Sequence, residues 1–428
     1  MQQSQRAVDN HALAYAIDQA NELGLPVVVC FGLTDRFPEA NLRHFAFMLQ
    51  GLRETGEALR EMGVEFVLRT GNPPNVAQQL GLRAAMIVCD QGCLRIQRQW
   101  RSQLAENSER RVVQVESDVV VPVEAASNKE EYAAATLRPK IHRLLDRFLV
   151  PLAVREPKIQ RPIGLDSIDW RSTEAILQTL DLDRTVPPVA GILGGHSRAT
   201  ARLADFLSLR LEGYADQRND PAVDQQSGLS PYLHFGQISP LTIALKAMQM
   251  PRSEGTSAFL EELIVRRELA CNFTEFNPNY DRFDGLPDWC RQTLQKHESD
   301  ARPYLYEEPQ LEAAQTHDPY WNAAMTEMKQ TGKMHGYMRM YWGKKILEWT
   351  DDPKRAFEVA LRLNNKYFLD GRDPNSFCGV AWCFGKHDRP WAERPIFGTV
   401  RYMNANGLRR KFDIDAYVRR VMAATLDL

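Results

Sequence analysis

The sequence predicts an α/β plus all-α protein: an N-terminal doubly wound parallel α/β domain, then a C-terminal all-helical domain. Three observations carry this. Apolar, β-branched runs alternate with amphipathic helical patterns up to about residue 120, strand-like runs nearly vanish after Ser197, and a proline-punctuated stretch lies between. The 428 residues suffice for two or three domains, each with its own core.

In chain order, strands are predicted at Leu25–Phe31, Val64–Leu68, Ala84–Cys89 and Val112–Val115. Helical patterns lie at Asp9–Leu23, Asn41–Met62, Val76–Leu80 and Ile96–Glu106. Continuous apolar strands with crossover helices imply a parallel sheet covered on both faces. Gly24, Gly63 and Gly81 each follow a helical run, where a left-handed cap is expected. Pro151, Pro157, Pro162, Pro187, Pro188 and the Gly194–Gly195 pair mark a long connection that holds a helix at Thr136–Leu149. Beyond it, helices are predicted at Ala199–Arg210, Pro240–Met250, Thr256–Cys271, Met334–Trp349, Pro353–Asn364 and Ile414–Thr425. The expected domains are therefore residues 1–125 (α/β), 126–198 (connection) and 199–428 (helical).

Composition narrows the function. With 44% hydrophobic and 25% charged residues the chain reads as an ordinary globular protein. Its longest apolar runs, such as Leu25 to Leu33, fall far short of the ~20 residues a membrane helix needs. The N-terminus has no signal-like apolar stretch. Seven cysteines without a Cys-x-x-Cys, and nine histidines without ligand spacing, predict a cytoplasmic protein with no metal. The net charge of −2 argues against a basic nucleic-acid binder, yet it hides an asymmetry. Residues 331–428 carry 18 Lys and Arg against 11 Asp and Glu, a net of +7, which leaves −9 on the rest. Five of the eight tryptophans fall from Trp321 onward. Basic charge among aromatics fits phosphate contact with base stacking, and equally a Trp-rich core beside a solvated face.

Several constellations bear on chemistry. In Ser227-Gly-Leu-Ser-Pro-Tyr-Leu-His-Phe-Gly236, Ser230 is a good N-cap and Pro231 a good first helical residue. The freed N–H groups there, with the two serine hydroxyls, could hold a phosphate, or the segment merely caps a helix. Trp342 and Trp349 lie seven apart on one helical face, ~10.5 Å along it. With Trp321 they form either an electron relay or a stacked core face. Arg339 and Asp370 make either a surface ion pair or a buried pair that stabilises a negative ligand. Glu262, in the partly apolar run Glu261 to Glu268, either pairs with Arg266 or Arg267 or serves a substrate.

The joint order of these segments is more specific than any of them. Tyr214 to Arg218, Ser227 to Gln237, the Glu-Glu-Leu-Ile-Val-Arg-Arg-Glu helix, Trp321, Met334 to Trp342, Trp349, Asn364 to Asn375 and Ala381 to Gly385 together resemble the class II cyclobutane pyrimidine dimer photolyases of the photolyase/cryptochrome family. The resemblance runs over essentially the whole chain and is most specific from Tyr214 to Arg401.

It implies a light-driven DNA-repair enzyme, a deoxyribodipyrimidine photo-lyase. In that family excited reduced FAD gives one electron to a flipped-out dimer and takes it back once the ring has opened. By resemblance, Tyr214, Ser227, Gly228, Leu229 and Ser230 surround the FAD phosphates, Arg339 and Asp370 form the salt bridge beside the isoalloxazine, and Asn364 lies near its N5. Trp342, Trp321 and Trp349 match the proximal, middle and distal members of an electron-transfer chain that draws electrons from the surface. Glu262 matches the carboxyl group bonded to a thymine of the dimer, Met340 and Trp382 match residues packed on it, and Arg218 one near its phosphate. Arg389 and Arg401 fall where the class contacts the DNA bubble. A second, antenna chromophore is expected in some relatives, and no motif here names one. The expected partner is DNA containing pyrimidine dimers, bound by a monomer that needs neither membrane nor metal and sits at the nucleoid when bound. The alternative is a cryptochrome-like flavin photoreceptor without repair activity. Glu262, Met340 and Trp382 together favour repair. The chain starts only a few residues before Gln5-Arg-Ala-Val-Asp-Asn10, so the strand expected there is shortened.

Overall fold

A computed structural model describes residues 1–426. Residues 1–115 contain four strands, β1 (Val28–Leu33), β2 (Glu65–Thr70), β3 (Met86–Asp90) and β4 (Arg111–Val115), and four helices, α1 (His11–Leu23), α2 (Leu42–Glu61), α3 (Pro73–Gly81) and α4 (Arg95–Asn107). All strand pairs are parallel. β1 starts later than expected because Leu25 still closes α1 through Ala20 and Pro26 has no N–H to offer. Gly24 and Gly63 take the expected left-handed conformation, at φ 66° and 72°. Gly81 does not: it is the last residue of α3, and it is small because a Cβ there would lie 2.4 Å from Ile87.

The expected single sheet is two. β1 pairs only with β2, and β3 only with β4. Residues 1–6 run between the two pairs without forming a ladder. The Met1 ammonium donates to the Cys30 carbonyl at 2.8 Å, and the Asp90 carboxylate receives the amides of Gln2, Gln3 and Ser4. Beside them a gap of about 620 Å³ is lined by Met1, Leu13, Val28, Cys30, Ile87 and Cys89. The apolar core of this half lies on the β1–β2 side, where Phe31, Leu33, Phe45, Leu59, Phe66 and Leu68 pack together.

The connecting residues are part of the packed body. The expected Thr136–Leu149 helix is split into Ala134–His142 and Leu145–Phe148, and Leu137 and Ile141 share a core with Phe206, Tyr214 and Tyr232. The remainder is helical. The pattern expected over Thr256–Cys271 is interrupted: α-helix runs to Leu260, a π-helical turn spans Glu261–Arg266, and α-helix resumes from Arg267 to Phe276. The largest core surrounds Trp321, Trp342, Trp349, Tyr341 and Phe357, between the helices Pro319–Thr331, Gly336–Trp349 and Pro353–Tyr367.

Buried cations lock the two halves together. The fully buried Arg6 guanidinium reaches the Asp118 carboxylate at 2.6 Å and the carbonyls of Ser117 and Gly236. Arg43 on α2 donates to the carbonyls of Pro187, Tyr367 and Lys329. Among the described residues, no helix is long and apolar enough to cross a membrane, and no His/Cys/Asp/Glu group could hold a metal ion.

Candidate functional site

The loop after the Pro353–Tyr367 helix is held from within. The Asn365 side chain accepts the Arg372 amide, the Arg372 guanidinium returns to the Asn365 carbonyl at 2.7 Å, and Ser376 donates to the Asp370 carbonyl. Arg372 adopts a positive φ of 67° to close this tight reversal, a strain the surrounding bonds must hold. So fixed, Asp370 meets Arg339 on the neighbouring helix at 3.1 Å, with both side chains mostly buried. The Arg339 guanidinium also lies 3.7 Å above the Phe368 ring. Asn364, fully buried, donates to Asn365 and leaves its own Oδ1 without a partner. Arg339 Nε and Trp342 Nε1 are likewise buried and unpartnered. Packed interiors satisfy their polar groups, so three such atoms on two packed helices mark a place for a polar ligand.

The indoles meet differently from their spacing. Trp342 and Trp349 share a helix, and Trp321 from the preceding helix lies against both. Its ring stacks on Trp342 at 6.5 Å and 10°, and meets Trp349 edge-on at 5.6 Å. Asp318 orients it by capping the helix start at Tyr320 and Trp321 and by accepting the Tyr341 hydroxyl. Trp321 Nε1 donates to the Trp342 carbonyl at 3.0 Å. All three indoles are at most 1% exposed, so the outermost, Trp349, does not lie at the surface as the distal position implied.

The phosphate-like segment also departs from expectation. Leu229, not Ser230, is the N-cap, Ser230 and Pro231 are the first two helical residues, and the helix ends at His234. One turn provides little dipole. What the segment does offer is Gly228 at φ 67°, where a Cβ would lie 2.6 Å from the Arg202 guanidinium that bonds the Ser227 carbonyl. Tyr214 packs edge-on to Phe206 and Phe259. Burial raises its phenol above the usual range, and the nearby Glu262 carboxylate adds to the rise.

Glu262 pairs with Arg218 at 2.8 Å, not with Arg266 or Arg267. The π-helical turn explains the change, since its wider spacing sends Glu261 to Arg138 and Arg266 instead. Arg267 is buried and donates to the Asp118 carbonyl. Both members of the Arg218–Glu262 pair are about one-third exposed, so they face an open surface. The Met340 sulfur lies 3.9 Å from the thiol of Cys383, the residue after Trp382. Trp382 carries Arg266 at 5.6 Å over its ring, a neighbour that the charge run Arg266–Arg267 hinted at without placing. His387 stands edge-on to Trp382, and burial pushes it down to about 3. Arg389 and Arg401 both stack on the half-exposed Trp391, at 5.9 and 5.2 Å. The site thus offers unpartnered buried polar atoms on two packed helices, a run of indoles beginning at Trp342, and an arginine–aromatic cluster at the half-exposed Trp391.

Residues 1–158 match the family model described as DNA photolyase. The chain is 52% identical to a deoxyribodipyrimidine photo-lyase of Methanothermobacter thermautotrophicus, over 98% of its own length and 93% of the relative's. The chain belongs to the photolyase/cryptochrome family. Solved structures share the family fold at low identity. A class III photolyase from Agrobacterium tumefaciens superposes with a TM-score of 0.77 at 19% identity, covering 99% of this chain and 85% of that one. An archaeal photolyase from Sulfolobus tokodaii, solved with two FAD molecules, gives 0.71 at 16%, covering 98% and 90%.

Proposed function

We propose that the chain is a class II cyclobutane pyrimidine dimer photolyase. The activity is light-driven DNA repair, that of a deoxyribodipyrimidine photo-lyase. The observations that carry it to this site are the mostly buried Arg339–Asp370 pair and the unpartnered, buried Asn364 Oδ1 and Trp342 Nε1 on the two packed helices.

Those groups suit FAD. Tyr214, Ser227, Gly228, Leu229 and Ser230 would hold its phosphates, and Arg339, Asp370 and Asn364 its ring system. When bound, reduced FAD supplies the light-driven electron that splits the cyclobutane ring and receives it back. The protein's residues position and insulate. The Arg339 cation favours negative charge beside it and Asp370 keeps that cation in place, which is electrostatic preorganisation in a dry site. Trp342, Trp321 and Trp349, in contact in sequence, give electrons a path through the interior.

On the DNA side, a damaged pair is the least costly to flip out. Met340 and Trp382 would pack on the flipped dimer, Glu262 would hydrogen-bond a thymine, and Arg218 would move from Glu262 to a phosphate. Arg389 and Arg401, with Trp391, would fill or flank the opened duplex. The division into residues 1–125, 126–198 and 199–428 belongs to the same reading, with flavin and DNA both assigned to the last part. The test is direct: the purified protein is yellow with FAD, and light with a reductant lowers the thymine-dimer content of DNA. A colourless protein that FAD does not reconstitute, or dimers that persist, rejects the reading.

A further inference from the structure

Trp349 ends the run of indoles, yet it is 1% exposed and has no route of its own to solvent. A second aromatic group covers it. The Tyr306 ring meets Trp349 edge-on at 5.4 Å, and the His317 ring does so at 5.2 Å. The Tyr306 amide donates to the Trp349 carbonyl at 3.1 Å, which fixes the contact through the backbone. The Tyr306 hydroxyl oxygen accepts the His317 amide at 2.9 Å and lies 2.8 Å from His317 Nδ1. A backbone N–H can only donate, so the phenolic proton is free to point at Nδ1. Outside this pair Tyr304 stacks on His317 at 3.6 Å and is 48% exposed. On the inner side the Lys345 ammonium lies 5.5 Å over the Trp349 ring.

We propose that Tyr306 is the terminal electron donor of the indole chain and that His317 takes its proton. The proposal rests on the flavin reading above, because photoexcited oxidised FAD is the acceptor at the inner end of the chain. Once Trp349 has lost an electron inward, it is a radical cation, and the Lys345 ammonium over its ring is itself paired with the Glu348 carboxylate at 2.6 Å. One electron then passes from Tyr306 to Trp349, and the Tyr306 O–H proton passes to His317 Nδ1. The products are neutral Trp349, a neutral tyrosyl radical and an imidazolium. The positive charge has moved away from Lys345 to an exposed ring. An external thiol reductant returns one electron to the tyrosyl oxygen while His317 returns the proton. Tyr304 lacks this arrangement, since it touches His317 rather than Trp349.

The test is flash excitation of the holoenzyme with oxidised FAD, read by transient absorption and by electron paramagnetic resonance. In the unmodified protein a tryptophan radical should decay into a tyrosyl radical, more slowly in deuterated water. Tyr306→Phe should lose the tyrosyl signal and keep the tryptophan one, Tyr304→Phe should keep both, and His317→Gln should slow tyrosyl formation with partial rescue by added imidazole. A tyrosyl radical that survives in Tyr306→Phe, or is absent from the unmodified protein while the tryptophan radical forms, overturns the assignment. If no tryptophan radical appears in any variant, the flavin reading falls and this assignment falls with it.

Discussion

Glu262 and Arg218 hold each other at 2.8 Å on a surface that water reaches. Such a pair contributes ~0–1 kcal/mol to folding, because solvent screens it and both side chains give up freedom. Its value must therefore lie in what displaces it. On the proposed reading, a thymine that enters beside Glu262 would replace the guanidinium as its hydrogen-bond partner and free Arg218 for a phosphate. Glu262→Gln should leave the unfolding midpoint nearly unchanged and FAD content intact. Repair per absorbed photon should fall about tenfold, the equivalent of ~1.4 kcal/mol in a rate. Dimer counting after calibrated illumination checks this, and an unchanged yield would remove Glu262 from the substrate. Asp370→Asn should act on the other side of the site. It leaves the Arg339 cation without its anion, so flavin loss on dilution should quicken while Glu262→Gln does not alter it.

Elements set where those residues stand, and here the sequence was legible in part. Periodicity placed α1, α2 and α4 to within a residue or two; α1 and α2 bury apolar stripes, whereas α4 buries Gln97 and Arg101 beside Leu104. It could not show the π-helical turn at Glu261–Arg266. One inserted turn leaves composition unchanged, yet it decides that Glu262 meets Arg218. The Ser230 cap failed although Ser is much the better N-cap residue: Leu229 holds that position without a side-chain cap bond. Motif order grouped Arg339, Asp370 and Asn364, but it was silent on Tyr306 and His317, which lie outside the quoted motifs. The division of the expected sheet into β1–β2 and β3–β4 was not legible in the strand pattern. Its seam depends on Asp90, whose carboxylate takes three backbone amides in place of a ladder. Asp90→Ala should cost about 3 kcal/mol, since hydrogen bonds to a charged acceptor are removed and amides are left unpaired. Urea unfolding should show this as a lower midpoint. A shift within error would mean the N-terminal residues contribute nothing to the seam.

The whole molecule is joined through buried charge, and that makes its stability depend on pH in a defined direction. Glu268, in the helical half, receives the amides of Val120 and Val121 from the end of the α/β half. Burial pushes it up to about 8, against those two amides, which favour its charged form. The folded state thus keeps a proton that the unfolded chain loses above the ordinary carboxylate range. Its contribution is complete at low pH and is lost as pH rises towards 8. Glu268→Gln keeps an acceptor for both amides and removes the titration. Relative to the parent it should gain stability between about pH 6 and 8, on the order of 1 kcal/mol per pH unit. Parallel stability curves would refute this. Charge also organises the outside. The near-zero total is −9 on residues 1–330 against +7 on the rest, and the positive part carries the Arg389–Trp391–Arg401 cluster. Affinity for dimer-containing duplex should fall steeply with salt, because each phosphate neutralised by an arginine releases counterions. Arg389→Ala with Arg401→Ala should flatten the log–log slope by about 2, at ~0.9 for each phosphate no longer neutralised, and weaken damaged and undamaged DNA alike. Trp382→Ala should leave that slope unchanged and lower only the preference for the lesion, since stacking on a flipped base releases no ions. An unchanged slope in the double arginine variant would move the DNA surface elsewhere on the molecule.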